Sequence, residues 1–266
     1  MKDSNIINGN CWVAHFDILG FRNIVEHFLP EGVLEVYEEV LKKIKEYNVN
    51  HKFFSDSFVF YTENDSKDSF SNIDWALRLF FEEMFCREIP MRGCLNVGPF
   101  YANEEKGIFF GRAHIEAYDL AENQNWIGFV LSGKVKEKLR DFKIDNGNSY
   151  LDVFKQYYYL EYEVPSKGKI KRDLLAYNLN IGSSIDTRKA TPQQCRLWSH
   201  LISMEGTARI HLNEKIKRKK IVGLVKCPVD RNTIIKYKNT KKFLLRVYPA
   251  LKERMKNKNS QISYSS

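Results

Sequence analysis

Apolar positions along the chain switch several times between a two-residue and a three-to-four-residue period. Residues 11–16 (CWVAHF) form a short apolar run closed by Asp17, which reads as a strand, and Asp17-Ile18-Leu19-Gly20 then turns the chain. Residues 21–29 and 31–47 read as helices. The second carries apolar side chains at 33, 36, 37, 40, 41 and 44, a one-sided stripe, and Pro30 suits its first turn. Residues 51–61 (HKFFSDSFVFY) are aromatic and β-branched with a polar break, so they read as two strands meeting at a tight turn with Asp56 at its tip. Helical spacing predicts a helix over 70–85. A strand follows over 91–101, where Gly93 and Gly98 leave room for close backbone approach. Further on, 110–123 and 134–141 read as helices, and 126–132 and 157–164 as strands. Past Pro165, helices are expected over 191–212 and 231–256, with Pro249 kinking or ending the last.

The first part therefore runs β-α-α-β-β-α-β and then α-β-α-β. A β-α-β-β-α-β series predicts a ferredoxin-like α+β fold: an antiparallel-rich sheet with helices on one face. The expected division is a domain over 8–165, a basic, mainly helical extension over 166–256 and a frayed polar tail over 257–266. No internal repeat is present. Such a fold says nothing about function by itself.

Charge changes the picture. The net +9 of the 266-residue chain hides a split. Residues 1–165 carry 18 basic and 27 acidic side chains, whereas 166–266 carry 24 and 6, which points to two functional regions. A composition of 43% hydrophobic and 28% charged residues excludes a disordered or collagen-like chain. No apolar run is long enough to span a membrane, and the N-terminus lacks a signal-peptide pattern. Five scattered cysteines without C-x-x-C spacing read as reduced thiols in a cytoplasm, and the histidines show no zinc-like cluster.

The informative residues are Asp17, at the end of the first strand, and Asp56, at the hairpin tip. In a split βαβ sheet those elements are neighbours, so the two carboxylates converge. Paired carboxylates suit hard divalent cations, and two such ions about 3.5–4 Å apart clamp a phosphoryl group. The turn after Asp17 leads into a helix N-terminus that suits phosphate, with Gly20 keeping Cβ atoms clear. Taken singly, each residue has a plainer reading: Asp17 caps the next helix and Asp56 makes a β-turn.

With those residues in view, the sequence resembles the class III nucleotidyl cyclases over about residues 11–140. Phe16-Asp17-Ile18-Leu19-Gly20-Phe21 is similar to their first-strand motif F-x-D-I-x-G-F, with one residue fewer before the Asp. His51-Lys52-Phe53-Phe54-Ser55-Asp56 is similar to their K-x-x-G-D hairpin, with Ser55 in place of Gly. The 39-residue spacing between the aspartates is a little shorter than usual for that family. Met91-Arg92-Gly93 through Gly98 resembles their R-x-G-x-x-x-G strand, and Gly111 through Ala117 resembles their G-x-x-V-N-x-A helix start. The resemblance implies two Mg²⁺ or Mn²⁺ ions held by Asp17 and Asp56 with the Ile18 carbonyl. It also implies a triphosphate on the Leu19-Gly20-Phe21 backbone, Lys52 reading the base, and a homodimer with two shared sites. The 3′-hydroxyl would attack the α-phosphorus and release pyrophosphate.

Three positions depart from the purine cyclases. Ile108 stands where they carry a second, acidic base reader, and Ile115 and Asp119 stand where they carry the transition-state Asn and Arg. Arg92 and Arg112 are the candidates to replace that arginine. The pattern is most similar to the divergent pyrimidine cyclases of bacterial antiphage defence (Pycsar-type), which implies UTP or CTP as substrate. A purine cyclase is the alternative, and a catalytically silent nucleotide- or nucleic-acid-binding module is the third reading. For the third, the basic run Lys215-Ile216-Lys217-Arg218-Lys219-Lys220 and the basic, aromatic-bearing helix from Arg231 are the candidate nucleic-acid surface. His15, on the Asp17 side of its strand, reads as a buried histidine or as support for a metal ligand; His51 and His114 read as structural, and Tyr157-Tyr158-Tyr159 as strand packing.

Overall fold

Strand β1 (Ile6–Ile18) is the spine of the molecule, and its alternation decides what each face holds. The computed structural model describes residues 6–22, 25, 30–87, 89–143, 149–168, 173–179 and 231–248. After β1 come α1 (Pro30–Ile44), a 3₁₀ turn (Lys45–Tyr47), β2 (Asn50–Phe54), β3 (Ser57–Tyr61) and α2 (Lys67–Cys86). They are followed by β4 (Met91–Asn103), β5 (Ile108–Phe110), α3 (Arg112–Asn123), β6 (Gly128–Leu131) and α4 (Gly133–Asp141). The last are α5 (Tyr150–Tyr157), β7 (Tyr159–Glu163), β8 (Asp173–Tyr177) and α6 (Arg231–Val247). One sheet has the order β2-β3-β1-β4-β6-β8-β7, with β5 added on β4. Its first four strands are antiparallel neighbours in the split βαβ order, and among the described strands only β4 and β6 run parallel.

Even-numbered β1 residues make the main core. Trp12, Ala14, Phe16 and Ile18 meet Phe70, Ile73, Leu77, Phe80 and Phe81 of α2, all essentially inaccessible. Burial of each such aromatic is worth roughly 1.5–3 kcal/mol. Phe16 lies 5.4 Å from Phe80 and 5.2 Å from Phe129. Gly93 on β4 makes room for its ring, because a Cβ there would fall 2.3 Å from Phe16. Odd-numbered β1 residues face the other way. Cys11 and Val13 join Tyr61, Phe100, Ala102 and Ala113 of α3 in a smaller cluster.

Helices thus cover both faces, which corrects the expectation of one: α1, α2, α4 and α5 lie on the Phe16 side, and α3 on the Val13 side. A helix expected from 110 starts at Arg112 because Ile108–Phe110 pairs with β4 instead. Helix α5 had no place in the expected order. A capping box between Ser149 and Asp152 starts it, and Tyr157 and Tyr158 close it rather than opening the strand.

The sheet does not stop at the boundary expected at 165. Strand β8 inserts between β6 and β7, and α6 packs its Phe243 on Trp126 and Tyr162, at 5.0 and 4.7 Å. Phe243 and Leu244, expected as aromatic and apolar neighbours in a nucleic-acid patch, are core residues. The helix expected over 191–212 and the basic run 215–220 lie outside the described residues. Among the described residues the cysteines are buried free thiols, and no helix is long and apolar enough to cross a membrane.

Candidate active site

Asp17 sits at the last turn of the β1 pleat, on the Val13 face. It stands opposite Ser57 on β3 and Arg92 on β4. The hairpin tip folds back beside it: the Ile18 amide donates to the Asp56 carbonyl at 2.8 Å. Ser55 takes a left-handed φ of 56° to make that turn, a conformation tolerable for a short polar residue. The structure therefore brings together the two aspartates singled out in the sequence. Asp56 is half-buried, and among the described residues its carboxylate takes only a long contact, 3.5 Å, from the Ser57 hydroxyl.

Arg92 is the next partner, 4% exposed. Its Nε and Nη2 both reach Asp17 Oδ2, at 2.9 and 2.7 Å. Its Nη1 donates to the carbonyls of Glu122 (2.8 Å) and Gln124 (3.0 Å), and Nη2 also meets the Glu122 carboxylate. Lys167 pairs with Glu122 at 3.2 Å. Burial pushes the Asp17 carboxyl up to about 6, with Arg92 pulling it down and Glu122 and Asp56 pushing it up. Glu122, less buried and bonded to Arg92, Lys167 and Asp17, is held below the usual carboxylate range. His15, two residues before Asp17, places Nδ1 3.4 Å from Nε2 of His114, under the Tyr118 ring. Burial lowers His15 to about 4, so it is neutral at physiological pH.

Other expected site residues fall out differently. The Leu19 amide is already donated to the Pro90 carbonyl, so Leu19 has no free N–H for phosphate. Gly20 has a φ of 75° and nothing within 4 Å of its Cβ position, whereas Phe21 is partly buried against the main core. Lys52 lies on the same face as Asp17, two strands across, because it pairs with Val59, which pairs with His15. Its ammonium binds Glu104 at 2.7 Å, and the Tyr61 hydroxyl donates to the same carboxylate. Arg112 is not brought to Asp17 within one chain. Its side chain is 77% exposed and pairs with Glu116, and ten helical residues, about 15 Å, separate it from Glu122. Ile115 and Tyr118 are exposed on the same helix.

Glu122, Gln124, Lys167 and Glu104 were not found from sequence. Glu122 carried no local signal: it is the carboxylate near the end of α3, and helix packing brings it to Arg92 and Asp17. A groove of about 1050 Å³ runs from Gln124 between α3, the start of α4 and residues 164–168. Neither Asp17 nor Asp56 lines it.

No family model and no curated protein matches the chain. Among solved structures it is similar to a guanylyl cyclase domain of the RhoGC fusion protein from the aquatic fungus Blastocladiella emersonii. That likeness is at 13% identity over 64% of this chain and 94% of that one, with a TM-score of 0.47. It is also similar to the guanylate cyclase domain of RhGC from Catenaria anguillulae (15%, 64% and 94%, 0.44) and to the adenylyl cyclase CyaB from P. aeruginosa (14%, 65% and 94%, 0.41).

The donor set suits a hard cation. The Asp17 and Asp56 carboxylates and the Ile18 carbonyl are the oxygens that could hold one. Among the described residues no group of three or more His, Cys, Asp or Glu side chains could by itself hold a metal ion.

Proposed function

We propose that this chain is a metal-dependent nucleotide cyclase. It converts a nucleoside triphosphate, UTP or CTP by preference, to a 3′,5′-cyclic nucleotide and pyrophosphate, as a signal in antiphage defence. One observation supports the reading: the Ile18–Asp56 backbone bond holds the hairpin tip against the end of β1, next to Asp17, and among the described residues the Asp56 carboxylate takes only the long Ser57 contact. Asp17, Asp56 and the Ile18 carbonyl would hold two Mg²⁺ or Mn²⁺ ions. Bound there, the ions supply the Lewis acidity that lowers the pKa of the 3′-hydroxyl and offsets charge on the α-phosphate. The Gly20 and Phe21 amides, in the turn after β1, bind phosphate oxygens. Arg92 holds Asp17 by one oxygen and so aims the other. A second copy of the chain docks on the Asp17 face, where Phe54 is 84% exposed and Ile115 and Tyr118 are uncovered.

Ile108 in place of an acidic base reader supports the pyrimidine choice. A purine cyclase is the second reading, and the Lys52–Glu104 pair favours it, since an ammonium beside a carboxylate matches the donor–acceptor edge of a purine. Purified protein incubated with ATP, GTP, CTP and UTP in turn, with Mn²⁺, decides by the mass of the product. A cyclic pyrimidine nucleotide, lost in Asp17→Asn and in Asp56→Asn, is expected. No product from any nucleotide overturns the enzyme and leaves a silent binding module.

A further inference from the structure

Helix α6 belongs to the part of the chain that the charge split sets apart, yet it is anchored beside the carboxylate site. Tyr162 faces away from Tyr159, whose hydroxyl bonds Asp74 of α2, so α6, packed on Tyr162, lies on the Asp17 side of the sheet. Thr240 Oγ1 accepts from the Ile127 amide and donates to its carbonyl, both at 2.8 Å, and Asn239 Nδ2 donates to the Asn125 carbonyl at 2.7 Å. From the other side, Arg92 holds the Gln124 carbonyl. Residues 124–127 are thus gripped between the arginine of the site and one turn of α6.

Lys236 is one turn before Thr240 on the same helical face. It is half-buried, and among the described residues its ammonium has no hydrogen bond or ion pair. Four charges act on it: Arg92 and Lys167 repel it, and Asp17 and Glu122 attract it. Burial and that repulsion lower its pKa, so the fold gains nothing from the charge. A nucleoside triphosphate carries more negative charge than two divalent ions neutralise once the aspartates have taken their share. An ammonium without a carboxylate of its own is the group that offsets the rest.

We infer that Lys236 of the C-terminal helix, with Lys167 beside it, binds the phosphate chain of the substrate at the Asp17–Asp56 site. The inference rests on the cyclase reading for the identity of the substrate, and it makes the basic extension a working part of the active site.

The test uses the full chain and two readouts, steady-state kinetics with the preferred nucleotide and direct binding of inorganic tripolyphosphate in Mn²⁺. Lys236→Met is expected to raise KM and weaken tripolyphosphate binding about tenfold each, with kcat changed less than twofold. Lys236→Arg is expected to restore both. Lys236→Met is also expected to melt no lower than the parent, because the replaced charge stabilises nothing. Unchanged KM and unchanged tripolyphosphate affinity in Lys236→Met overturn the inference, as does a parent chain that fails to bind tripolyphosphate. A parent that binds tripolyphosphate through Lys236 but turns over no nucleotide removes the cyclase reading and keeps the polyphosphate site.

Discussion

The guanidinium of Arg92 grips a single oxygen of Asp17, with Nε at 2.9 Å and Nη2 at 2.7 Å. An arginine that bonded both oxygens would close the carboxylate to a cation. This arrangement supplies a counter-charge for a buried acid and leaves its second oxygen off the guanidinium.

Removing that counter-charge is costly. Arg92→Met leaves the Asp17 and Glu122 carboxylates and two backbone carbonyls without their donor. Breaking a buried pair from one side costs about 3–5 kcal/mol. Urea unfolding is expected to show a loss of that size, and Arg92→Lys to recover only part, since a lysine cannot reach four acceptors in a plane. A loss under 1 kcal/mol would show that the network contributes little.

Asp17 itself is expected to be kept at the expense of stability. Its folded pKa, about 6, lies above the ordinary 3.8 because burial disfavours the charge. The stabilisation from its protonated form is complete below about pH 4 and lost as pH rises through 6. At pH 7.5 in chelator, Asp17→Asn should melt at or above the parent temperature while losing turnover. Addition of Mn²⁺ should raise the melting temperature of the parent only. A variant that melts lower in chelator would contradict the sign.

The Lys52–Glu104 pair predicts a change of base preference rather than a loss of chemistry. Glu104→Ala frees the Lys52 ammonium and the Tyr61 hydroxyl, and it is expected to shift relative kcat/KM among the four nucleotides by roughly tenfold, about 1.4 kcal/mol. Equal loss with every nucleotide would make the pair structural.

Two glycines separate steric need from conformational need. A Cβ on Gly111 would lie 2.5 Å from the Pro99 carbonyl oxygen and 2.6 Å from Phe100 Cα, both backbone atoms. Gly111→Ala is therefore expected to cost roughly 1–3 kcal/mol in unfolding measurements. Gly20 has open space but a φ of 75°, so Gly20→Ala should cost about 1 kcal/mol of strain and show its larger effect in KM.

Much of the architecture was legible because it depends on local periodicity. The apolar run ending at Asp17, the polar break at Ser55-Asp56-Ser57 and the stripe of 70–85 gave strand, hairpin and helix in the right order. Strand β8 escaped because Asp173–Tyr177 is short and acquires its neighbours from β6 and β7, far away in sequence. Helix α5 escaped because its aromatic residues fit either period, and only the Ser149–Asp152 cap decides between them.

The sequence by itself determined that two aspartates lie at the ends of neighbouring strands, since a two-residue period and a tight hairpin leave them nowhere else. Only tertiary structure decided what surrounds them. Arg92, Glu122, Lys167 and Lys236 come from four distant segments, and their charges meet through sheet order and helix packing, which no local spacing encodes. The physical reason is range: backbone periodicity acts over a few residues, whereas Coulomb forces and burial act on whatever the completed fold brings close.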